Sequence, residues 1–189
     1  MSTAQTAMPR AFVALDFETA NHKPDSACAI GLVRVEDDQV VATESRLIRP
    51  PSRWFAFTDI HGITWEMVKS QPSFAEVWHD VQGILDGALF IAAHNAGFDR
   101  GVLRACLEGA GLPPPKLPFV CTMHMARRVL GIYPTGLSVV AQRLKVPLNH
   151  HDALSDANAC AHIVIAARKL REDAHRTSVM APLALQSPA

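Results

Sequence analysis

Apolar and polar positions along this chain follow two different periods, and the changes between them mark its elements. AFVALDF (11–17) is an almost unbroken apolar, β-rich run and predicts a first strand over about 12–17. Two further runs, 28–35 and 39–48, are separated only by the acidic turn Glu36-Asp37-Asp38, which predicts an antiparallel hairpin. Pro50 and Pro51 open a long loop that reaches Ile63. Helical spacing predicts short helices over Thr64 to Val68 and Ser73 to Leu85, with Ser73 as N-cap. ALFIAAH then predicts a fourth strand over about 88–93, followed by a helix over about 98–110. Gly111 ends that helix, and Pro113-Pro114-Pro115 forbids its continuation. Leu117 to Cys121 reads as a short fifth strand, and helices follow over about 122–130, 137–144 and 152–172. Three strands and then strand–helix alternation predict an α/β domain, a mixed sheet flanked by helices. No internal repeat or low-complexity block interrupts it.

Length and composition narrow this to one globular domain of 189 residues, 49% of them hydrophobic, with mean hydropathy +0.10. Residues 1–10 read as a disordered tail, 11–172 as the folded domain, and 173–189 as a mobile tail ending in Pro and small residues. Lys+Arg and Asp+Glu both number 18, so the net charge is zero. A protein that wraps duplex nucleic acid is usually basic, so this balance argues against that class of partner. The cysteines Cys28, Cys106, Cys121 and Cys160 form no CxxC pair and read as free thiols of a reducing cytoplasm. No signal-peptide pattern and no apolar run of membrane-spanning length is present, so a soluble, cytoplasmic protein with no membrane partner is expected.

The chemistry lies in three separated segments: DFETA, HNAGFD and HHDALSDA. Asp16 and Glu18 are two apart at a strand end, so they project to one face. Asp99 falls in the first turn of a helix, where the macrodipole also favours an acid. His151 and Asp156 are five apart, about 140° around a helix, and would not share a face. His151 therefore belongs to the loop before the last helix and Asp156 to its first turns, with Asp152 helping to start it. His150 is a second candidate beside His151, and His94 reads as a hydrogen-bonded strand-end histidine. Four carboxylates and an imidazole at these places are the parts of a two-metal phosphodiesterase. Hard divalent cations take oxygen ligands, a pair about 3.5–4 Å apart clamps both oxygens of a displacement at phosphorus, and a histidine can take the proton of the attacking water.

With those residues in place, the chain resembles the DEDD-type 3′–5′ exonucleases, in the histidine subclass that includes the DNA polymerase III epsilon proofreading subunit. The likeness runs from about Phe12 to Leu170, covers all five positions, and is reinforced by IHGIT (60–64), which resembles an epsilon-like segment. The resemblance implies an RNase H-like fold with a five-stranded mixed sheet, strands one, four and five being parallel. It implies that Asp16, Glu18, Asp99 and Asp156 hold two Mg²⁺ or Mn²⁺ ions and that His151 is the general base. It further implies substrate contacts from Phe17, Thr19, Ala20, His61, Asn95 and Phe98. Phe98 would stack on the terminal base, or else pack a helix start. Single-stranded DNA 3′ ends are the implied substrate, with RNA ends as the alternative.

Other features carry less. Trp54, Phe55 and Phe57 read as a hydrophobic loop anchored on the sheet, with a wedge against nucleotides as the alternative. Arg127-Arg128 reads as a solvated face. Thr177-Ser178-Val179-Met180 faintly resembles a clamp-binding peptide, which makes a sliding clamp or a DNA polymerase a candidate partner. A non-catalytic end-binding module and a structural polymerase subunit remain rival readings, to be separated from the enzyme by turnover.

Overall fold

The computed structural model describes residues 10–180, with side chains as far as Ala174. Most of the expected N-terminal tail, residues 181–189, and the side chains of the clamp-like segment 177–180 lie outside what is described. Five strands form one sheet in the order β3-β2-β1-β4-β5: β1 (Phe12–Thr19), β2 (Ala27–Glu36), β3 (Gln39–Leu47), β4 (Ile91–Ala93) and β5 (Phe119–Cys121). β1 pairs antiparallel with β2, β2 antiparallel with β3, and β1–β4 and β4–β5 are parallel. This is the five-stranded mixed RNase H-like arrangement expected from the sequence.

Seven helices complete the described chain: α1 (Thr58–His61), α2 (Trp65–Val68), α3 (Phe74–Val81), α4 (Ala96–Ala110), α5 (Thr122–Arg128), α6 (Leu137–Leu144) and α7 (Ala153–Met180). A 3₁₀ turn, Gln82–Leu85, finishes the segment expected as one helix with α3. Alternation along β1 divides the core between the two faces of the sheet. Phe12 and Ala14, with Val33 and Val35, pack beneath Ala157, Cys160, Ala161 and Val164 of α7 and beneath α5 and α6. Val13, Leu15 and Phe17, with Ile30 and Leu32, pack against Val77, Trp78 and Val81 of α3 and Val102, Leu103 and Leu107 of α4. Continued along β1, the same alternation sends Asp16 and Glu18 to the α7 face.

Two departures from the sequence reading have plain causes. The loop expected from Pro50 to Ile63 contains α1, a single turn ended by Gly62 in the left-handed conformation (φ 75°), whose N–H donates to the Thr58 carbonyl. Helix α7 runs to Met180 instead of stopping near 172. Residues 173–180 contain neither Gly nor Pro, and Pro182 is the next residue that cannot continue a helix. Toward the far end of the sheet, α7 is tied down by Arg168, which pairs with Asp38 at 3.3 Å and lies 4.7 Å over the Phe12 ring. Among the described residues no helix is long and apolar enough to cross a membrane.

Candidate active site

The carboxyl ends of the parallel strands β1 and β4 meet the N-terminal turns of α4 and α7, and the acidic residues gather there. Asp99 sits in the first turn of α4, which starts at Asn95 in the left-handed conformation (φ 64°). Its Oδ1 accepts the Phe17 N–H at 3.2 Å, which ties α4 to the end of β1. Asp152 starts α7 as expected, its Oδ1 accepting the Ser155 N–H at 2.9 Å. Asp156 follows in the first turn, and its Oδ2 accepts the His151 N–H at 3.2 Å and lies 2.9 Å from His150 Nδ1. Carboxylate oxygens of Asp16, Glu18 and Asp156 all lie within 4.8 Å of one another.

No Lys or Arg forms an ion pair with Asp16, Glu18 or Asp99 among the described residues. Burial is therefore uncompensated, and it raises all three. Glu18 is pushed up to about 8, first by burial and then by the charges of Asp156 and Asp99. Asp16 is held well above the usual carboxylate range, by burial and then by Asp99 and Asp156. Asp99 is also raised by burial, against the opposing hydrogen bonds from the Phe17 and Asp99 backbone. Asp99 Oδ2 and Asp156 Oδ1 are buried without a hydrogen-bond partner, which is costly unless something else meets them.

Those two orphaned oxygens, in an all-oxygen donor set of concentrated negative charge, fit hard divalent cations. Loading the site must release the protons that the raised carboxylates hold near neutral pH. An acid whose folded pKa is raised adds stability below its unfolded pKa and loses it as pH rises through the folded one. The thermal midpoint of the metal-free protein is therefore expected to fall as pH rises from 4.5, the ordinary Glu18 value, to about 8. Excess Mn²⁺ should flatten that slope. Melting curves in EDTA whose midpoint climbs across this interval would refute the picture.

Above the carboxylates lies a cleft of about 350 Å³ lined by Asp16, Phe17, Glu18, Thr19, Phe57, Ile60, His61, His94, Phe98, Leu137, His150, His151 and Asp156. The Phe98 ring is 48% exposed, so it stands free at the helix start rather than packing it. His61 donates from Nε2 to the Thr19 carbonyl at 3.1 Å and accepts the Ile63 N–H at Nδ1 at 3.0 Å. A carbonyl only accepts and an N–H only donates, so the ring is fixed as the neutral Nε2–H tautomer, and burial lowers its pKa. His94 is used at both nitrogens, by Thr122 Oγ1 at 2.9 Å and the Thr135 carbonyl at 2.7 Å. It is the hydrogen-bonded strand-end histidine expected from the sequence.

Two proposed substrate contacts fall elsewhere. Ala20 is fully buried, its N–H donating to Ser26 and its carbonyl accepting from Ala56 and Phe57. Asn95 does not line the cleft, and its carbonyl accepts the Phe98 N–H. The same Ala20 bonds anchor the Trp54–Phe57 loop on the sheet, yet Phe57 also reaches the cleft wall. Ile60 and Leu137 were not singled out in the sequence. The only signal for Ile60 was its place in IHGIT, and for Leu137 there was none, since an apolar residue at a helix start reads as core.

A sheet that gathers carboxylates from β1, α4 and α7 beneath one cleft, beside histidines, is the arrangement of an RNase H-like nuclease. Residues 13–164 match the family described as RNase_T, exonuclease. The chain belongs to this family of DnaQ-like 3′–5′ exonucleases and is an enzyme of that class. It is 35% identical over 159 residues to the DNA polymerase III PolC-type of Thermotoga petrophila, covering 82% of this chain and 12% of that protein. It is 32% identical over 152 residues to the 3′-5′ exonuclease DinG of Bacillus subtilis, covering 77% of this chain and 16% of that one. The chain thus spans a small fraction of the curated relatives it matches. Among solved structures it resembles exonuclease X in complex with 5′ overhanging duplex DNA, with TM-score 0.67 and 28% identity over 84% of this chain and 91% of that one.

Proposed function

We propose that the chain removes nucleoside 5′-monophosphates one at a time from single-stranded DNA 3′ ends, using two divalent cations, Mg²⁺ or Mn²⁺. One observation carries this reading: Asp16, Glu18 and Asp156 converge within 4.8 Å, with unpartnered oxygens on Asp156 and nearby Asp99, beneath a cleft walled by the exposed Phe98 ring and the half-buried Phe57 ring. Asp16, Glu18, Asp99 and Asp156 would hold the cations. When bound, these would supply Lewis acidity, stabilising charge on the phosphate and making water a better nucleophile. His151 takes the proton of the attacking water as the bond from phosphorus to the 3′-oxygen of the preceding nucleotide breaks. His151 is exposed and held in the left-handed conformation (φ 68°) by its place before α7, free to reach over the cleft. Phe98 offers a face that accepts any base, with Phe57 and Ile60 as opposing wall and His61 holding the Thr19 backbone in place.

The PolC-type relatives support a DNA polymerase as partner, and four free cysteines support a cytoplasmic location. The test uses 5′-labelled single-stranded DNA and RNA of one sequence with Mn²⁺, Mg²⁺ or EDTA, resolved at single-nucleotide steps. Metal-dependent shortening from the 3′ end, faster on DNA, is expected. Faster loss of RNA would make the protein an exoribonuclease, and tight binding with intact substrate would make it an end-binding module.

A further inference from the structure

We propose that Gly31 is a positioning residue for the metal centre, because its missing side chain is what lets the first turn of α7 lie directly on the sheet. The inference rests on the reading of the carboxylates as cation ligands. Gly31 of β2 is the direct partner of Asp16 across the antiparallel pair. Residues opposite one another in such a pair point to the same face, so a side chain at 31 would project beside the Asp16 carboxylate toward α7.

That space is already taken. A Cβ at position 31 would lie 2.1 Å from the Ala153 carbonyl oxygen, 2.3 Å from its carbon and 2.5 Å from the Leu154 nitrogen. These are backbone atoms of the first turn of α7, which cannot swing aside as a side chain would. At the other nine of the ten glycines an added Cβ meets nothing within 4 Å. Gly31 has no positive φ, so its backbone conformation does not ask for glycine. Glycine also weakens a strand interior. Close approach is the remaining reason for it.

The consequence falls on Asp156. Restoring ordinary contact distances would lift the first turn of α7 by roughly 1 Å. Asp156 lies in that turn, three residues after Ala153, and the His151 N–H rides on its Oδ2. Small divalent cations tolerate little error in ligand distance, so a lift of that size pulls Asp156 out of a donor set shared with Asp16 and Glu18. Phe57, Ile60, His61 and Phe98 stand on other elements and would stay where they are. The structure therefore assigns Gly31 to metal affinity and turnover, and leaves the nucleotide-binding wall independent of it.

The test is Gly31→Ala. Mn²⁺ affinity is read directly, by calorimetry or by the paramagnetic signal of the free ion, and kcat and KM are read on a single-stranded oligonucleotide. Mn²⁺ binding and kcat are each expected to weaken by about 10–100-fold, the range seen when groups supporting metal ligands are disturbed, with KM unchanged. A purely structural glycine would lower the melting temperature and leave Mn²⁺ affinity of the folded protein as it was; that outcome overturns the proposal, as does wild-type behaviour in every readout. Asp156→Glu supplies a second arm. One added methylene should recover Mn²⁺ affinity in the Gly31→Ala background and reduce it in the wild-type background, and failure to recover any affinity also counts against the displacement. If Gly31→Ala does not fold, Ala157→Val decides the question. It adds bulk one turn further along the same buried face of α7 and should weaken Mn²⁺ binding with KM unchanged; unaltered binding overturns the proposal. Because Mn²⁺ binding is measured without turnover, a wild-type protein that binds the ion but degrades no oligonucleotide would refute the exonuclease reading and leave the Gly31 test intact.

Discussion

Asp156→Asn is expected to abolish turnover without harming the fold. Asparagine keeps the size of the side chain and an oxygen that can accept the His151 N–H, and it removes only the charge. In the metal-free protein that charge is a burden: Asp156 is 4% exposed, it raises the pKa of both Asp16 and Glu18, and its Oδ1 has no partner. Losing it should leave the metal-free melting temperature unchanged or higher. The rise in melting temperature on adding Mn²⁺ should disappear, because the only carboxylate contributed by α7 to the donor set is gone. Lewis-acid stabilisation is worth several kcal/mol, so kcat is expected to fall by about 10³-fold or more. An Asp156→Asn variant that degrades single-stranded DNA at a near-normal rate would remove the metal assignment altogether.

His151→Ala is expected to act differently, cutting kcat by about 10²–10⁴-fold, the usual worth of a positioned base, while Mn²⁺ binding persists. Its backbone N–H, not its ring, holds Asp156, so the substitution leaves that hydrogen bond in place. His150→Ala is the necessary comparison, since the two rings stack with centroids 4.0 Å apart. The His150 ring contacts Asp156 Oδ2, so its loss should weaken metal binding by about 10-fold, as for a group that orients a ligand, with kcat at saturating Mn²⁺ largely kept. If, at saturating Mn²⁺, His150→Ala takes the large loss of kcat and His151→Ala does not, the base has been assigned to the wrong ring.

Sequence made the acidic residues legible because each sits where an element changes. Asp16 and Glu18 continue the alternation of a strand whose earlier positions are buried, Asp99 follows an apolar run and a turn, and Asp156 follows a helix-starting Asp152. Charges at the ends of apolar runs are conspicuous. The apolar wall of the cleft is not, because Phe57, Ile60 and Leu137 have the composition of core and differ from it only in what lies opposite them. Ala20 and Asn95 were misplaced for a related reason: whether a backbone group is free or already bonded, as at Ala20, is decided by a loop more than thirty residues away. The single turn of α1 was hidden by the prolines before it, although Gly62 carried the signal for its end.

The acidic residues of the site enter the chain in a definite order, with three contributed by residues 16 to 99 and the last by α7, after the whole sheet has been specified. A ribosome making this protein therefore releases the strands and most of the acidic cluster well before Asp156 leaves the exit tunnel. Until α7 docks, the cleft lacks both its last carboxylate and the histidine pair His150 and His151. The potential to cut nucleic acid is thus withheld from any growing chain in which α7 has not yet docked, and appears only when the domain closes.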